Sequence, residues 1–159
     1  MQQYDSEQKE GKKMKRIILV MIVSGFAAGC NYTGKPVEFA NLCDKANNRE
    51  YIEVTGFFRN TGSAMCSKSG NEPMRCPIGF ADKPEAVPAM AYIDLGSGAS
   101  SIENIEGKGL TIRDVNKQDI SNNDKVKVTA SLLVYDTPPQ PDAKYVNCSI
   151  TVKKIEKTQ

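Results

Sequence analysis

The sequence predicts a mainly β chain: one small barrel with an N-terminal helix and two disulfides. Three observations carry that prediction. Several short runs alternate apolar and polar residues with the period of a half-buried strand. Gly56 stands inside one of them, and a glycine within a strand marks the bend or bulge that a closing barrel needs. Four cysteines, Cys43, Cys66, Cys76 and Cys148, lie downstream of a stretch laid out as an export signal, and thiols in an oxidising compartment read as disulfides. A β-sandwich is the alternative arrangement of the same strands.

Pro36 to Asn47 reads as the helix. Proline suits a first helical turn, and Phe39, Leu42, Cys43 and Ala46 fall on one face by the i, i+3, i+4, i+7 rule. Glu50 to Phe58 reads as a strand, with Ile52, Val54, Gly56 and Phe58 on one side. Arg59 to Arg75 is polar and contains Gly62, Gly70 and Pro73, the composition of a long loop. Met74 to Ala81 and Ala89 to Leu95 are shorter strands around a proline-rich joint. Within the Gly- and Ser-rich stretch 96–109, Ser100-Ser101-Ile102-Glu103 matches a capping box and predicts a helical turn. Leu110 to Asp114 is a further strand. Asp124 to Asp136 alternates clearly, with Val126, Val128, Ala130, Leu132 and Val134 inward. A stiff Pro-rich loop follows. Lys144 to Ile155 closes the chain, with Val146, Cys148, Ile150 and Val152 inward.

Upstream, Met14 to Cys30 joins a short basic head to an apolar run and a small-residue exit. The run from Ile17 to Ala28 is too short for a spanning helix, which needs about 20 apolar residues. Ala27-Ala28-Gly29-Cys30 resembles the lipobox of bacterial lipoproteins. That resemblance implies that residues 14–29 are a signal peptide and that Cys30 becomes the lipid-bearing N-terminus. Residues 30–35 would then be a tether and residues 36–157 the domain. More than one acyl chain is expected, since a single chain binds a membrane only marginally. Asn31, where Asp would favour retention in the inner membrane, points to the outer membrane, with the domain on its periplasmic face. Residues 1–13 read as an upstream extension, because Lys9-Glu10-Gly11 can encode a ribosome-binding site ahead of Met14.

Charge narrows the function classes. The chain carries a formal +2, and residues 1–29 hold that whole surplus: Lys9, Lys12, Lys13, Lys15 and Arg16 against Asp5, Glu7 and Glu10. The neutral remainder lacks the basic footprint of a nucleic-acid binder. With no His, neither a His-based triad nor a His general base can be built. No Cys-x-x-Cys spacing supports zinc, and no cofactor is expected. The carboxylates Glu103, Glu106, Asp114 and Asp119 read as solvated loop acids. Residues 29–35 mimic part of a phosphate loop, but Pro36 takes the place of its Ser or Thr. Four cysteines allow three pairings. Cys43 on the helix face and Cys148 on the inner face of the last strand both point inward, and Cys66 and Cys76 bracket the end of the long loop. The pattern therefore predicts 43–148 with 66–76.

Glu50 to Phe58, Cys76, Lys125 to Tyr135 and Tyr145 to Ile155 together resemble the OB-fold pattern, with its mid-strand glycine and closing strand ending in Ile. The resemblance covers most of residues 48–157 and implies a helix before the fourth strand. It also implies a ligand face between the loops Arg59 to Arg75 and Asp136 to Lys144. Candidate ligand-binding residues there are Tyr51, Phe57, Arg59, Lys68, Arg75 and Tyr135. The expectation is a non-catalytic, lipid-anchored binding module for an envelope protein, peptide or glycan, with no nucleic acid and no metal. The alternative is an inhibitor of lysozyme or of another envelope-targeting enzyme, with the 96–100 loop inserted into a cleft.

Overall fold

The computed structural model describes residues 32–59, 64–137 and 142–158. The export segment, Cys30, the upstream extension, and parts of the two long loops (60–63 and 138–141) lie outside the described residues.

Five strands close into a barrel. They are β2 (Tyr51–Arg59), β3 (Arg75–Ala81), β4 (Ala89–Asp94), β8 (Val126–Val134) and β9 (Cys148–Lys157). The order around the ring is β2-β3-β4-β9-β8, and β8 pairs back onto β2. Every pairing is antiparallel except β4 with β9. This order and sense are those of an OB-fold. Closure leaves no long open edge, which is how a small barrel avoids edge-to-edge association. A two-residue strand, β1 (Lys35–Pro36), lies parallel on the outside of β2.

Gly56 turns the barrel's corner. Tyr51 through Gly56 pair with β8, whereas Phe57 through Arg59 pair with β3. At that handover a Cβ would stand 2.5 Å from the Ala81 carbonyl oxygen and 2.8 Å from the Phe80 ring. Only glycine lets the strands approach so closely. A second irregularity lies in β9. Thr129 pairs with Lys154 but Ala130 pairs with Val152, so Lys153 is the extra residue of a bulge. The bulge resets the alternation and returns Ile155 to the core, after Cys148, Ile150 and Val152.

The inward sets of β2 and β8 are those the alternation predicts, and with Phe80, Ile78 and Ile93 they form one buried cluster. The Phe58 and Phe80 rings pack 5.2 Å apart at its centre. The two disulfides are Cys43–Cys148, the pair predicted from the inward faces, and Cys66–Cys76, the pair predicted across the long loop.

Two predicted helical features are corrected. Pro36 to Asn47 is not one α-helix but β1 followed by two single 3-10 turns, Phe39–Asn41 and Lys45–Asn47. Asp44 between them is extended, and the Asn41 carbonyl accepts from the Asn47 side chain at 2.9 Å, which ties the turns into a compact knot. The expected helical turn at Ser100 is also absent. In its place β5 (Ile102–Ile105), β6 (Gly109–Arg113) and β7 (Asp119–Ile120) form a three-stranded sheet between β4 and β8. It stands where the OB resemblance implies a helix, and it adds Ile102, Ile112 and Ile120 to the core.

Asp114 is likewise not a solvated acid. It is 1 % exposed, and one carboxylate oxygen accepts the backbone N–H groups of Asn116 and Gln118, each at 2.8 Å. Those bonds shape the turn from β6 to β7.

Candidate functional site

A shallow groove runs along the outer surface of β3, β4 and β9, between the loop ending at Met74 and the loop beginning at Tyr135. The barrel register fixes its floor. Pro77 lies opposite Tyr92, which lies opposite Thr151; one step along, Gly79, Met90 and Ser149 form a second row. The alternation that buries Ala89, Ala91 and Ile93 necessarily turns Met90 and Tyr92 outward. The groove divides into two adjoining clefts. One, of about 310 Å³, holds Arg75, Tyr92, Tyr135, Ser149 and Thr151; the other, of about 240 Å³, holds Arg59, Met65, Met90 and Tyr145.

Three phenols converge there. Burial, and then the neighbouring Tyr135 and Tyr145 phenols, push the Tyr92 hydroxyl above its ordinary value. Tyr135 and Tyr145 are 38 % and 40 % exposed, so each offers a ring face as well as a hydroxyl. The Tyr135 hydroxyl donates to Ser149 Oγ at 2.9 Å, which fixes its ring against β9. Arg75 is held by two carboxylates, Asp94 and Glu72, each at 2.9 Å. Its charge is therefore matched, and it presents a planar, hydrogen-bonding wall rather than a free cation. Arg59 donates to the Lys83 carbonyl and stands at the other end.

Of the predicted ligand residues, Arg59, Arg75 and Tyr135 line this groove. Lys68 is exposed on its rim between the lining residues Ser67 and Ser69. Tyr51 and Phe57 line neither cleft. Tyr51 stacks on Tyr32 with ring centroids 5.9 Å apart, and Phe57 is half-buried opposite Ala81. Tyr92 and Tyr145 were missing from the prediction. The outward phase of β4 pointed to Tyr92, and the outward parity of the predicted strand Lys144 to Ile155 pointed to Tyr145, although the observed β9 begins only at Cys148.

A larger open cleft, about 660 Å³, lies where residues 36–40 cross β2, walled by Glu38, Glu53, Asp82 and Lys127. Its cation is already engaged. Glu156 first, and then Glu53, hold the Lys127 amine above its ordinary value. Recognition chemistry therefore favours the tyrosine groove. Among the described residues, no group of three or more His, Cys, Asp or Glu side chains is placed to hold a metal ion.

Neither a protein-family model nor a curated protein matches the chain. A solved structure described as "a putative aspartyl-tRNA synthetase from Leishmania major Friedlin" is similar over 82 % of this chain, at 15 % identity and a TM-score of 0.42. This chain spans only 22 % of that one, and so distant a likeness carries no argument about function.

Proposed function

We propose that the chain is a lipoprotein of the bacterial cell envelope, anchored through acylated Cys30 in the outer membrane with its barrel on the periplasmic face. The barrel is a non-catalytic binding module for a protein, peptide or glycan. The observation that supports this reading is the convergence of Tyr92, Tyr135 and Tyr145 on a groove between two loops. Tyrosine offers a large ring and a hydrogen-bonding tip at a cost of few rotatable bonds, which suits reversible recognition. Hydroxyls from Ser149 and Thr151 and the matched charges around Arg75 suit a ligand with apolar faces and polar edges. Neither the groove nor the neutral domain offers the phosphate-binding surplus that a nucleic acid requires.

The inhibitor reading lacks comparable support. The Ser101 hydroxyl is shared between the Gly96 and Gly98 carbonyls at 2.9 and 2.7 Å, and Ser100 Oγ accepts the Ile155 N–H at 2.9 Å. The first two bonds brace the loop internally and the third ties its end to β9, and no exposed aromatic or charged anchor stands within residues 96–100.

A photo-crosslinking amino acid at position 145, compared with one at position 117 in the β6–β7 turn, tests the binding role in intact cells. A discrete adduct from position 145 alone is expected. Equal labelling from both positions, or none from position 145, would contradict the proposal.

A further inference from the structure

We infer that the exposed Tyr32–Tyr51 pair is a membrane-interface contact that orients the barrel, with the tyrosine groove turned away from the bilayer. The inference rests on acylation of Cys30, as proposed above. Asn31 alone separates Cys30 from Tyr32, and two peptide steps reach at most about 7.6 Å between Cα atoms. From Tyr32 onward the chain is not a free tether. Its ring stacks on Tyr51, and Gly34 passes so close to β2 that a Cβ would stand 2.4 Å from the Ile52 carbonyl carbon. Lys35 and Pro36 then pair with Ile52 and Glu53, and the Val37 N–H donates to the Glu53 carbonyl at 2.8 Å.

The barrel is thus strapped to its own anchor within a few residues of the lipid. A diacylglyceryl group on Cys30 would hold that sulfur at headgroup level, and the two rings, 40 % and 45 % exposed, must then lie beside it. Tyrosine suits that position, because its ring enters the headgroup boundary while its hydroxyl stays hydrated. The charged residues next to the pair along the chain balance, Lys35 and Arg49 against Glu38 and Glu50. Ring insertion rather than attraction to anionic lipid therefore holds the face down.

The barrel order sets the consequence. β2 bonds to β3 and β8, so β4 and β9 are the two barrel strands not bonded to it. They lie across the barrel and carry Met90, Tyr92, Ser149 and Thr151 of the groove floor, which Pro77 and Gly79 of β3 complete. With the start of β2 against the membrane, the groove opens into the aqueous space.

Because the chain contains no Trp, a single introduced one reports alone. Tyr51→Trp and Tyr145→Trp would each be made in the full chain. Each is purified after processing and reconstituted in phosphatidylethanolamine–phosphatidylglycerol vesicles containing a headgroup spin-labelled lipid. The Tyr51→Trp protein should lose about half its emission at low and high salt, and the Tyr145→Trp protein almost none. Tyr32→Trp gives the same reading should Tyr51→Trp fold poorly. Equal quenching, or quenching at position 145 alone, overturns the inference; palmitate incorporation at Cys30 would then leave the lipoprotein reading standing. Absence of palmitate removes both.

Discussion

Replacing Cys43 and Cys148 together by Ala should destabilise the domain markedly more than replacing Cys66 and Cys76. The first bond joins residues 105 apart and the second residues 10 apart. On the loop-closure relation these separations correspond to about 4.8 and about 2.7 kcal/mol of denatured-state entropy at room temperature. Cavity effects are matched to first order, because each pair includes one fully buried sulfur, Cys148 or Cys76, and one half-buried sulfur. A gap of about 2 kcal/mol should therefore survive in guanidinium unfolding of the two variants beside the intact protein. The slope of the transition should also rise, more for the Cys43/Cys148 variant, because releasing the long closure exposes more chain on unfolding. Equal losses, or a larger loss for the Cys66/Cys76 variant, would show that local contacts rather than chain closure govern these bonds.

Substitutions at three further positions probe the frame. Gly56→Ala should cost about 1–3 kcal/mol, since its methyl would meet the Ala81 carbonyl and the Phe80 ring; unchanged chemical denaturation would contradict the corner assigned to it. Asp114→Ala should cost about 1–3 kcal/mol by leaving the N–H groups of Asn116 and Gln118 without an acceptor. Asp114→Asn should cost less, and hydrogen exchange at those two amides should follow the same order. The Lys157 amine first, and then the Ser121 N–H, hold the Asp124 carboxyl below its ordinary value. A depressed carboxylate contributes stability above its unfolded pKa, about 3.9, and loses it as pH falls through the lower folded value. The stability gap between the parent and Asp124→Asn should therefore be widest above that range and close in acid. A gap independent of pH would refute the assignment.

Strand phase was legible because each long strand has one buried face, and a residue's parity then fixes its side. That rule placed Cys148 inward, and with it one of the two disulfides. It also marked Gly56, whose missing side chain is the feature that the corner requires. Helical signals misled where local side chains compete for backbone groups. Residues 36–47 have a helical apolar spacing, yet Asn41, Asp44, Asn47 and Asn48 are poor helix interiors, and the Asn47 amide takes a carbonyl that a helix would have used. The capping box at Ser100 failed for a related reason. Its hydroxyl accepts the N–H of Ile155, far along the chain, and its φ of 54° is not that of an N-cap. In β9, plain alternation does not anticipate the bulge that brings Ile155 inward three residues after Val152. The groove was half legible: its loops and Tyr135 followed from the resemblance to the OB-fold, whereas the placing of Tyr145 depends on how an irregular loop returns to the barrel. The outward phase of β2 alone does not separate Tyr51 from the ligand residues; its stacking on Tyr32 does.

Sequencing the N-terminal peptide of the membrane-extracted protein by mass spectrometry tests the central claim most directly. The account predicts a chain that begins at Cys30, carrying a diacylglyceryl thioether. A peptide running unbroken through residues 28–32 with a free Cys30 thiol would contradict it.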